Sequence, residues 1–284
     1  MKVIITGAAG QLGTELQHTA PAEADIIPLA RKDLDITDSV QIEDAVCSQN
    51  PDIVINTAAY VRVDDNEDEP EAAFKLNAIA VRDLALVCKA KNITLVHIST
   101  DYVFDGAKRS EPYLEHDRPN PLSTYGISKL AGEQYALNFC KKSYVVRTSG
   151  LYGNKGSAEK GGNFVLAILK KAYANEPINV VDDIIVSPTY ALDCASAIWQ
   201  IIQEKMPFGI YHAANSGSCS WYEFASHIIS KAGIDTEIRK TTQAEYPSKA
   251  KRPSWSVLGT NSTLKMRHWK EAFNEYIVKQ GALS

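Results

Sequence analysis

The sequence lacks the hallmarks of several protein classes. Its 5 cysteines are scattered among 284 residues without a C-x-x-C pair, which argues against a disulfide framework or a zinc site. The formal net charge is −4 and no basic stripe is present, so nucleic acid is not an expected partner. No apolar run approaches a membrane span, and the first residues lack the long apolar region of a signal peptide. We therefore expect a cytoplasmic protein with reduced thiols and no membrane contact.

The first half of the chain alternates short β-branched runs with longer helical patterns. The predicted strands are VIIT (3–6), ADIIPL (24–29), DIVINTAA (52–59), ITLVHIS (93–99) and YVVRTS (144–149). Helices are predicted between them at 11–20, 38–46, 69–91 and around Tyr125, the second opening with Thr37 or Asp38 as its cap. This alternation favours a parallel sheet covered on both faces. The predicted fold class is therefore α/β, with a doubly wound Rossmann sheet.

After residue 150 the alternation becomes less regular. Helices are predicted at 163–174, 188–204, 220–233 and 269–281, with Pro188 in the first turn of the second of these. Short strands are predicted at 178–181 and 209–214. We therefore expect a dinucleotide-binding domain at 1–150 and a smaller α/β substrate lobe at 151–284, partly interleaved with the main sheet.

Three glycines directly follow the first strand. Gly7, Gly10 and Gly13 form G-A-A-G-Q-L-G, which ends a strand and opens a helix. In this context the backbone can approach a pyrophosphate, whose charge is stabilised at the helix N-terminus. The pattern favours dinucleotide binding, and the alternative is a tight turn with a packing contact and no ligand.

The end of the second predicted strand bears on the choice of dinucleotide. An acidic residue there suits a ribose 2′-hydroxyl, whereas Arg suits a 2′-phosphate. The sequence is PLARKDLDITD, with Arg31 and Lys32 first, so NADPH is favoured and NADH stays possible. The alternative is that both side chains are solvated surface charges. Asp35 and Ile36 fall where a loop covers the adenine.

A hydroxyl and a Tyr–Lys pair follow in chain order. Thr100 lies at the C-terminal end of a predicted strand, where ligands of open α/β sheets bind, and Tyr125 and Lys129 lie one turn apart on the next helix. Reduction of a ketone by hydride leaves an alkoxide that needs a proton, which a phenol can donate. A nearby ammonium is expected to lower the high pKa of that phenol, and Thr100 to hold the substrate oxygen. The alternatives are an ordinary surface pair and a hydroxyl bonded to local backbone.

Motifs along nearly the whole chain resemble one family. ITGAAGQLG, VHISTDYVFDG, PLSTYGISKLAGEQ and IYHAANSGSCSWYEFA resemble the extended short-chain dehydrogenase/reductases, and among them the dTDP-4-dehydrorhamnose reductases. The resemblance implies NAD(P)H-dependent reduction of the 4-keto group of a nucleotide-linked 6-deoxy sugar. The product would be dTDP-L-rhamnose.

The resemblance also implies roles for individual residues. Gly10, Gln11 and Leu12 would contact the cofactor phosphates, and Asp35 and Ile36 would contact its adenine. After the third predicted strand, the cofactor would be lined by Ala58, Ala59 and Tyr60. The catalytic set would be Thr100, Tyr125 and Lys129, of which Tyr125 and Lys129 also contact the cofactor. Thr100 and Asp101 would contact the sugar.

The sequence departs from the family at two points. The family usually has Trp in R-T-S-W-x-Y-G, where this chain has Gly150, and the loss of an indole removes a large contact surface from the substrate site. The segment 155–162 that follows is a candidate to refill the space, and a pocket for another sugar is the alternative. Some members dimerise through a metal held by acidic residues. Glu15 matches one such position, but Tyr190 replaces another acid, so we predict no metal and leave monomer and homodimer open.

Two other functions are compatible with the fold. A sugar-nucleotide dehydratase of this type has Glu after S-T-D, whereas Tyr102 follows Asp101 here, and epimerases usually have a longer second lobe. The other alternative is a non-catalytic NADP-binding subunit like the regulatory β subunit of methionine adenosyltransferase, since a fold does not fix a function. The intact Thr100, Tyr125 and Lys129 favour catalysis.

Overall fold

The secondary structure follows from a computed structural model that describes residues 1–107, 110–155 and 162–280. Its strands are β1 (Lys2–Thr6), β2 (Asp25–Leu29), β3 (Ile53–Asn56), β4 (Thr94–Thr100), β5 (Ser143–Thr148), β6 (Leu151–Tyr152), β7 (Ile178–Val181), β8 (Ile185–Val186), β9 (Thr189–Tyr190), β10 (Gly209–His212), β11 (Cys219–Ser220) and β12 (Ile238–Thr241). Its α-helices are α1 (Gln11–His18), α2 (Ser39–Gln49), α3 (Asp65–Asp68), α4 (Pro70–Phe74), α5 (Ala80–Ala90), α6 (Thr124–Phe139), α7 (Phe164–Tyr173), α8 (Ala191–Gln203), α9 (Trp221–Ala232) and α10 (Trp269–Lys279). A π-helical turn (Lys75–Ile79) joins α4 to α5, and a 3₁₀ turn (Asp101–Val103) follows β4.

The main sheet confirms the predicted fold class. Its strands are parallel and lie in the order β10-β5-β4-β3-β1-β2. The strands β3 and β5 are buried along their whole length, as expected for a parallel sheet covered on both faces. Because the carboxyl ends of parallel strands meet at one edge, the segments after β1, β3 and β4 open onto the same side of the molecule.

Helices cover the two faces of this sheet with separate apolar cores. On one face α1 and α8 pack together, and the indole Nε1 of Trp199 donates to the carbonyl of Leu16 at 3.0 Å. On the other face α2, α5 and α6 contribute a second core that includes Ile42, Leu84 and Ala136. The site at the strand ends therefore rests on a scaffold that is packed on both sides.

The second half of the chain has an aromatic core of its own. Phe224 of α9 contacts Tyr152, Phe164 and Phe273, with ring centroids between 5.4 and 5.7 Å apart. Two elements of this half, α8 and β10, nevertheless pack on or pair with the main sheet. The boundary at residue 150 itself stays a prediction. None of the described helices is both long and apolar enough to cross a membrane.

Local structure corrects several predicted boundaries. The third strand ends at Asn56 instead of continuing to residue 59. The helix predicted from Pro188 begins only at Ala191, because β9 pairs with β6 just before it. Of the two candidate caps for α2, Asp38 is the cap, and it accepts from the backbone N–H groups of Val40 and Gln41. The predicted end of the last helix at residue 281 lies outside the described residues.

Candidate active site at the strand ends

The glycine turn after β1 is crowded on the side that a larger residue would occupy. Gly7 has φ +67°, and a Cβ there would lie 2.7 Å from the backbone N of Ala58. A Cβ on Gly13 would lie 2.6 Å from the carbonyl oxygen of Gly7. Gly10 is the N-cap of α1 and provides no capping side chain. The first turn of α1 therefore lies close against the sheet with its backbone N–H groups available to an anion, which fits a dinucleotide pyrophosphate.

The two residues after Gly10 differ in what they can offer a cofactor. The Leu12 side chain is buried in the core, so only its backbone can meet a phosphate. Gln11 faces the second half of the chain, where its Oε1 accepts from Asn163 Nδ2 at 2.9 Å. Gln11 therefore lies where the glycine turn meets the N-terminus of α7.

We expect Gly7→Ala to weaken NADPH binding, since the added methyl group must push the segment after β3 away from the turn. The matched control is Gly233→Ala, because Gly233 has nearly the same φ, +66°, but open space around it. Both variants should lose about 1–2 kcal/mol to the left-handed backbone, and only Gly7→Ala should raise the NADPH dissociation constant in a fluorescence titration. Equal NADPH affinities in the two variants would argue against a cofactor at this turn.

The segment after β3 is held in place by a buried asparagine. Asn77 of the π-helical turn accepts from the backbone N of Tyr60 at 2.8 Å, and its Nδ2 donates to the Tyr60 carbonyl at 3.2 Å and to Ser128 Oγ at 3.1 Å. Ala58 and Ala59 are half-buried between β3 and this clamp. The Tyr60 hydroxyl donates to Glu69 at 2.8 Å. The three residues predicted to line the cofactor thus form a fixed wall.

The end of β2 carries the residues predicted to contact the adenosine part of the cofactor. Arg31 is exposed, where it can reach a 2′-phosphate. The Asp35 carboxylate accepts from the Thr37 backbone N and hydroxyl, and these two bonds lower its pKa. Ile36 is buried in the core beneath. Any contact of Ile36 with adenine therefore has to come from its backbone.

Thr100 and Tyr125 meet at the carboxyl end of β4. The Thr100 side chain lies close enough to the Tyr125 phenol to favour its ionised form, and the ring of Tyr102 stands edge-on to that of Tyr125 at 5.7 Å. The Thr100 hydroxyl also donates to Asp101 Oδ1 at 3.0 Å and accepts from the Tyr102 backbone N at 3.2 Å. The local backbone contact considered for Thr100 is therefore present alongside its contact with Tyr125.

The electrostatics of the pair correct one expectation. Burial raises the pKa of Tyr125 above its usual range, and the charges of Asp101 and Tyr102 act in the same direction. The Lys129 ammonium is buried and donates to the carbonyl of Ile98 at 2.6 Å, and burial lowers the pKa of Lys129 to about 8. The expected lowering of the phenol pKa is therefore wrong for this structure, because burial of the phenolate outweighs the opposing effect of the Thr100 hydroxyl, and Lys129 is not among the groups that shift this pKa.

The residues predicted to contact the sugar lie between the two halves of the chain. The buried Asp101 carboxylate also accepts from Ser149 Oγ at 2.9 Å, so that it joins β4 to the end of β5. A Cβ on Gly150 would lie 3.2 Å from Pro188 Cα and 3.5 Å from the Trp221 ring. The Trp221 indole thus borders the space that the family's usual Trp would share. Residues 156–161 of the segment proposed to refill it lie outside the described residues.

Some residues that shape the site were not predicted. Asn77 holds the wall after β3, and the buried pair of Glu133 and Arg147 lies behind Lys129, joined at 2.7 Å. Signals for them were present in the sequence. Asn is a poor helix former in the middle of an apolar helical pattern, and Arg147 interrupts the apolar run of β5.

A partly buried contact joins a charged residue of the second half to the first half of the chain. Arg252 pairs with Asp64 at 2.8 Å, and its guanidinium lies close enough to the Tyr102 phenol to affect its pKa. This contact ties a segment of the second half to the turn after β4. In the part of the chain that the structure describes, no cluster of three His, Cys, Asp or Glu side chains is placed to hold a metal.

Comparison with known proteins places the whole architecture in one family. The family described as the RmlD substrate binding domain matches residues 1–281. The spore coat polysaccharide biosynthesis protein SpsK of Bacillus subtilis is 41% identical over 99% of this chain and 98% of its own. The dTDP-4-dehydrorhamnose reductase of Mycolicibacterium smegmatis is 38% identical over 97% of this chain and 85% of its own.

A solved structure agrees with the same assignment. The dTDP-4-dehydrorhamnose reductase of Bacillus anthracis, crystallised in complex with NADP, superposes with a TM-score of 0.93 at 40% identity. The alignment covers 98% of this chain and 99% of that one. The family resemblance predicted from the sequence motifs is therefore confirmed.

Proposed function

This chain belongs to the family of the RmlD substrate binding domain, and from that membership we propose that it is an NADPH-dependent reductase of a nucleotide-linked 4-keto-6-deoxy sugar. The proposed reaction is the reduction of dTDP-4-dehydrorhamnose to dTDP-L-rhamnose. Relatives that bear the name of this enzyme cover nearly the full chain.

The observation that supports this proposal most directly is the contact between Thr100 and Tyr125. It lies at the carboxyl end of β4, with Lys129 buried one helical turn further along α6. A substrate carbonyl placed against both hydroxyls would meet a hydrogen-bond donor and a proton donor at once. The glycine turn after β1 opens on the same edge of the sheet.

Each residue has a defined task in this reaction. Bound NADPH would supply the hydride to C4 of the sugar. Tyr125 gives its proton to the oxygen that becomes the alcohol, and the burial that raises its pKa keeps the phenol protonated until that oxygen gains negative charge. Thr100 orients the carbonyl oxygen. Lys129 holds the nicotinamide ribose with its ammonium, which is largely charged at neutral pH because its pKa is about 8.

The remaining assignments extend this proposal. The Gly10–Leu12 backbone binds the phosphates, Arg31 the 2′-phosphate, and Ala58 to Tyr60 the nicotinamide half. We further propose a cytoplasmic enzyme that acts as a monomer or homodimer. The substrate side is bounded by Asp101, Gly150 and Trp221.

The test is the oxidation of NADPH, followed at its absorbance band, with dTDP-4-dehydrorhamnose generated in situ. We expect turnover and dTDP-L-rhamnose as the product. The comparison substrate is dTDP-4-keto-6-deoxyglucose, which differs in stereochemistry and reports how Gly150 shapes the pocket. Tight NADPH binding without reduction of either sugar would contradict the proposal and favour a non-catalytic NADP-binding subunit.

A further inference from the structure

A buried ion pair lies behind the Tyr125–Lys129 pair. Arg147 on β5 donates from Nε to Glu133 Oε1 at 2.8 Å and from Nη2 to Oε2 at 2.7 Å. Ser99 on β4 donates to the same Oε1 at 2.6 Å. The side chains of Glu133 and Arg147 are 0% and 1% exposed. Both carboxylate oxygens are thus bound from two neighbouring strands, which fixes the position of a full negative charge inside the protein.

Stability alone does not explain why an ion pair is buried at this position. Two well-packed apolar side chains of similar volume often stabilise a core as well as an ion pair does. Here a third charge is buried nearby, since Lys129 is 2% exposed. Glu133 therefore has two buried cations near it. Pairing with Arg147 would not by itself require the carboxylate to lie on α6, the helix that also carries Lys129.

The spacing along α6 connects the pair to the active site. Tyr125, Lys129 and Glu133 follow one another at intervals of four residues, so they lie on one face of the helix. The Lys129 ammonium has a neutral carbonyl as its hydrogen-bond acceptor, and its stabilising negative charge is that of Glu133. Burial disfavours the charged ammonium, and the Glu133 carboxylate opposes that effect.

We propose that Glu133, fixed by Arg147 and Ser99, is a positioning residue that acts through Lys129 by keeping its buried ammonium charged for cofactor binding. This inference rests on the proposed role of Lys129 at NADPH. It adds a residue that makes no contact with cofactor or substrate itself. Titratable groups on the surrounding elements are Tyr125 on α6, His97 on β4, Asp101 after β4, Arg147 on β5 and His212 on β10.

One of these groups offers a readout that requires neither cofactor nor substrate. His97 is fully buried, and its ring lies against Gly132 of α6. Burial and the charge of Lys129 hold the pKa of His97 well below its usual range, so the ring stays neutral. Its ¹⁵N chemical shift should therefore report the loss of the Lys129 proton as the pH rises through about 8.

The decisive experiment is an NMR titration of the assigned His97 ring in Glu133→Gln. Without the carboxylate the ammonium is less stable, so it loses its proton earlier and the midpoint should move down by roughly one pH unit. The control is Ser99→Ala, which removes one hydrogen bond to Glu133 and keeps the charge, and its midpoint should stay at the wild-type value. An unchanged midpoint in folded Glu133→Gln would overturn the inference.

A second variant covers the case in which Glu133→Gln does not fold because Arg147 is left unpaired. Glu133→Gln combined with Arg147→Met removes both charges and should fold more readily. The same downward shift is expected in this double variant, since the Glu133 charge is the one that acts on Lys129. A wild-type midpoint there would equally contradict the inference.

The consequence for the cofactor is measured by NADPH fluorescence titration across pH. If only the charged ammonium binds and its midpoint falls by a unit, the dissociation constant at pH 8 should rise roughly fivefold, with little change at pH 6. A loss of affinity independent of pH would indicate a structural role and refute the inference. Because neither measurement uses the sugar, a lack of turnover would count against the proposed function alone.

Discussion

The Tyr125→Phe variant is expected to lose turnover by about 10²- to 10⁴-fold, the usual contribution of a general acid, and to bind NADPH as the wild type does. The Tyr125 phenol lies beside Thr100 at the end of β4, and its ring is packed edge-on against Tyr102. Phe preserves the ring and its packing and removes only the proton donor. Steady-state kinetics with dTDP-4-dehydrorhamnose and NADPH fluorescence titration together measure this split.

The matched control for this variant is Tyr135→Phe. Tyr135 lies on the same helix, and its ring packs against Phe139 at 5.6 Å, away from Thr100. It should keep wild-type turnover. Full activity in Tyr125→Phe would refute the assignment of the proton donor. A parallel loss of NADPH affinity would instead show that the hydroxyl serves cofactor binding.

The second large effect is expected in the interior. Arg147→Met should lower the free energy of unfolding by about 3–5 kcal/mol, since it leaves the Glu133 carboxylate buried without its partner. The guanidinium also lies 5.1 Å from the Phe104 ring centroid and 3.4 Å from His212 Nε2, so several contacts are lost together. Chemical denaturation followed by circular dichroism measures the change.

The control for Arg147→Met is Arg239→Met, which breaks a pair of the same chemistry at the surface. Arg239 and Glu237 are 3.0 Å apart, but their side chains are 66% and 71% exposed. Solvent already stabilises both charges, so no measurable loss of stability is expected. Similar losses in the two variants would mean that burial of the Glu133 pair has little energetic effect.

The fold class could be predicted from the sequence because most strands of the main sheet have a local sequence signal. Apolar β-branched runs between amphipathic segments specify parallel strands with helices on both faces. The order of the strands within the sheet has no comparable local signal in the sequence. Nothing in GIYH (209–212) reveals that it pairs with β5, some 60 residues earlier, since pairing depends on contacts that form only in the folded chain.

The site could be predicted in part for a similar reason. Thr100, Tyr125 and Lys129 stand at recognisable places relative to their strand and helix, and the structure brings the first two into contact. The pKa shifts of Tyr125 and Lys129 could not be predicted from the sequence, because they depend on burial in the folded chain. A surface Lys near Tyr125 would lower the pKa of the phenol, whereas the buried environment raises it.

Supporting residues were the hardest to foresee. Asn77 acts on Tyr60 and Ser128, which lie 17 and 51 residues away in sequence. Glu133 and Arg147 meet across a helix and a strand. Their importance follows from tertiary contacts, and composition alone can only indicate that a polar residue is unusual where it stands.

The place of β10 at the edge of the main sheet has a consequence for biosynthesis on the ribosome. When the first 150 residues have emerged, β5 still presents an unpaired edge, and the apolar face of α1 that packs against α8 is uncovered. Exposed strand edges and apolar surfaces of this kind promote intermolecular association. The nascent chain must therefore remain protected through roughly 60 further residues of translation, the span that separates β5 from β10.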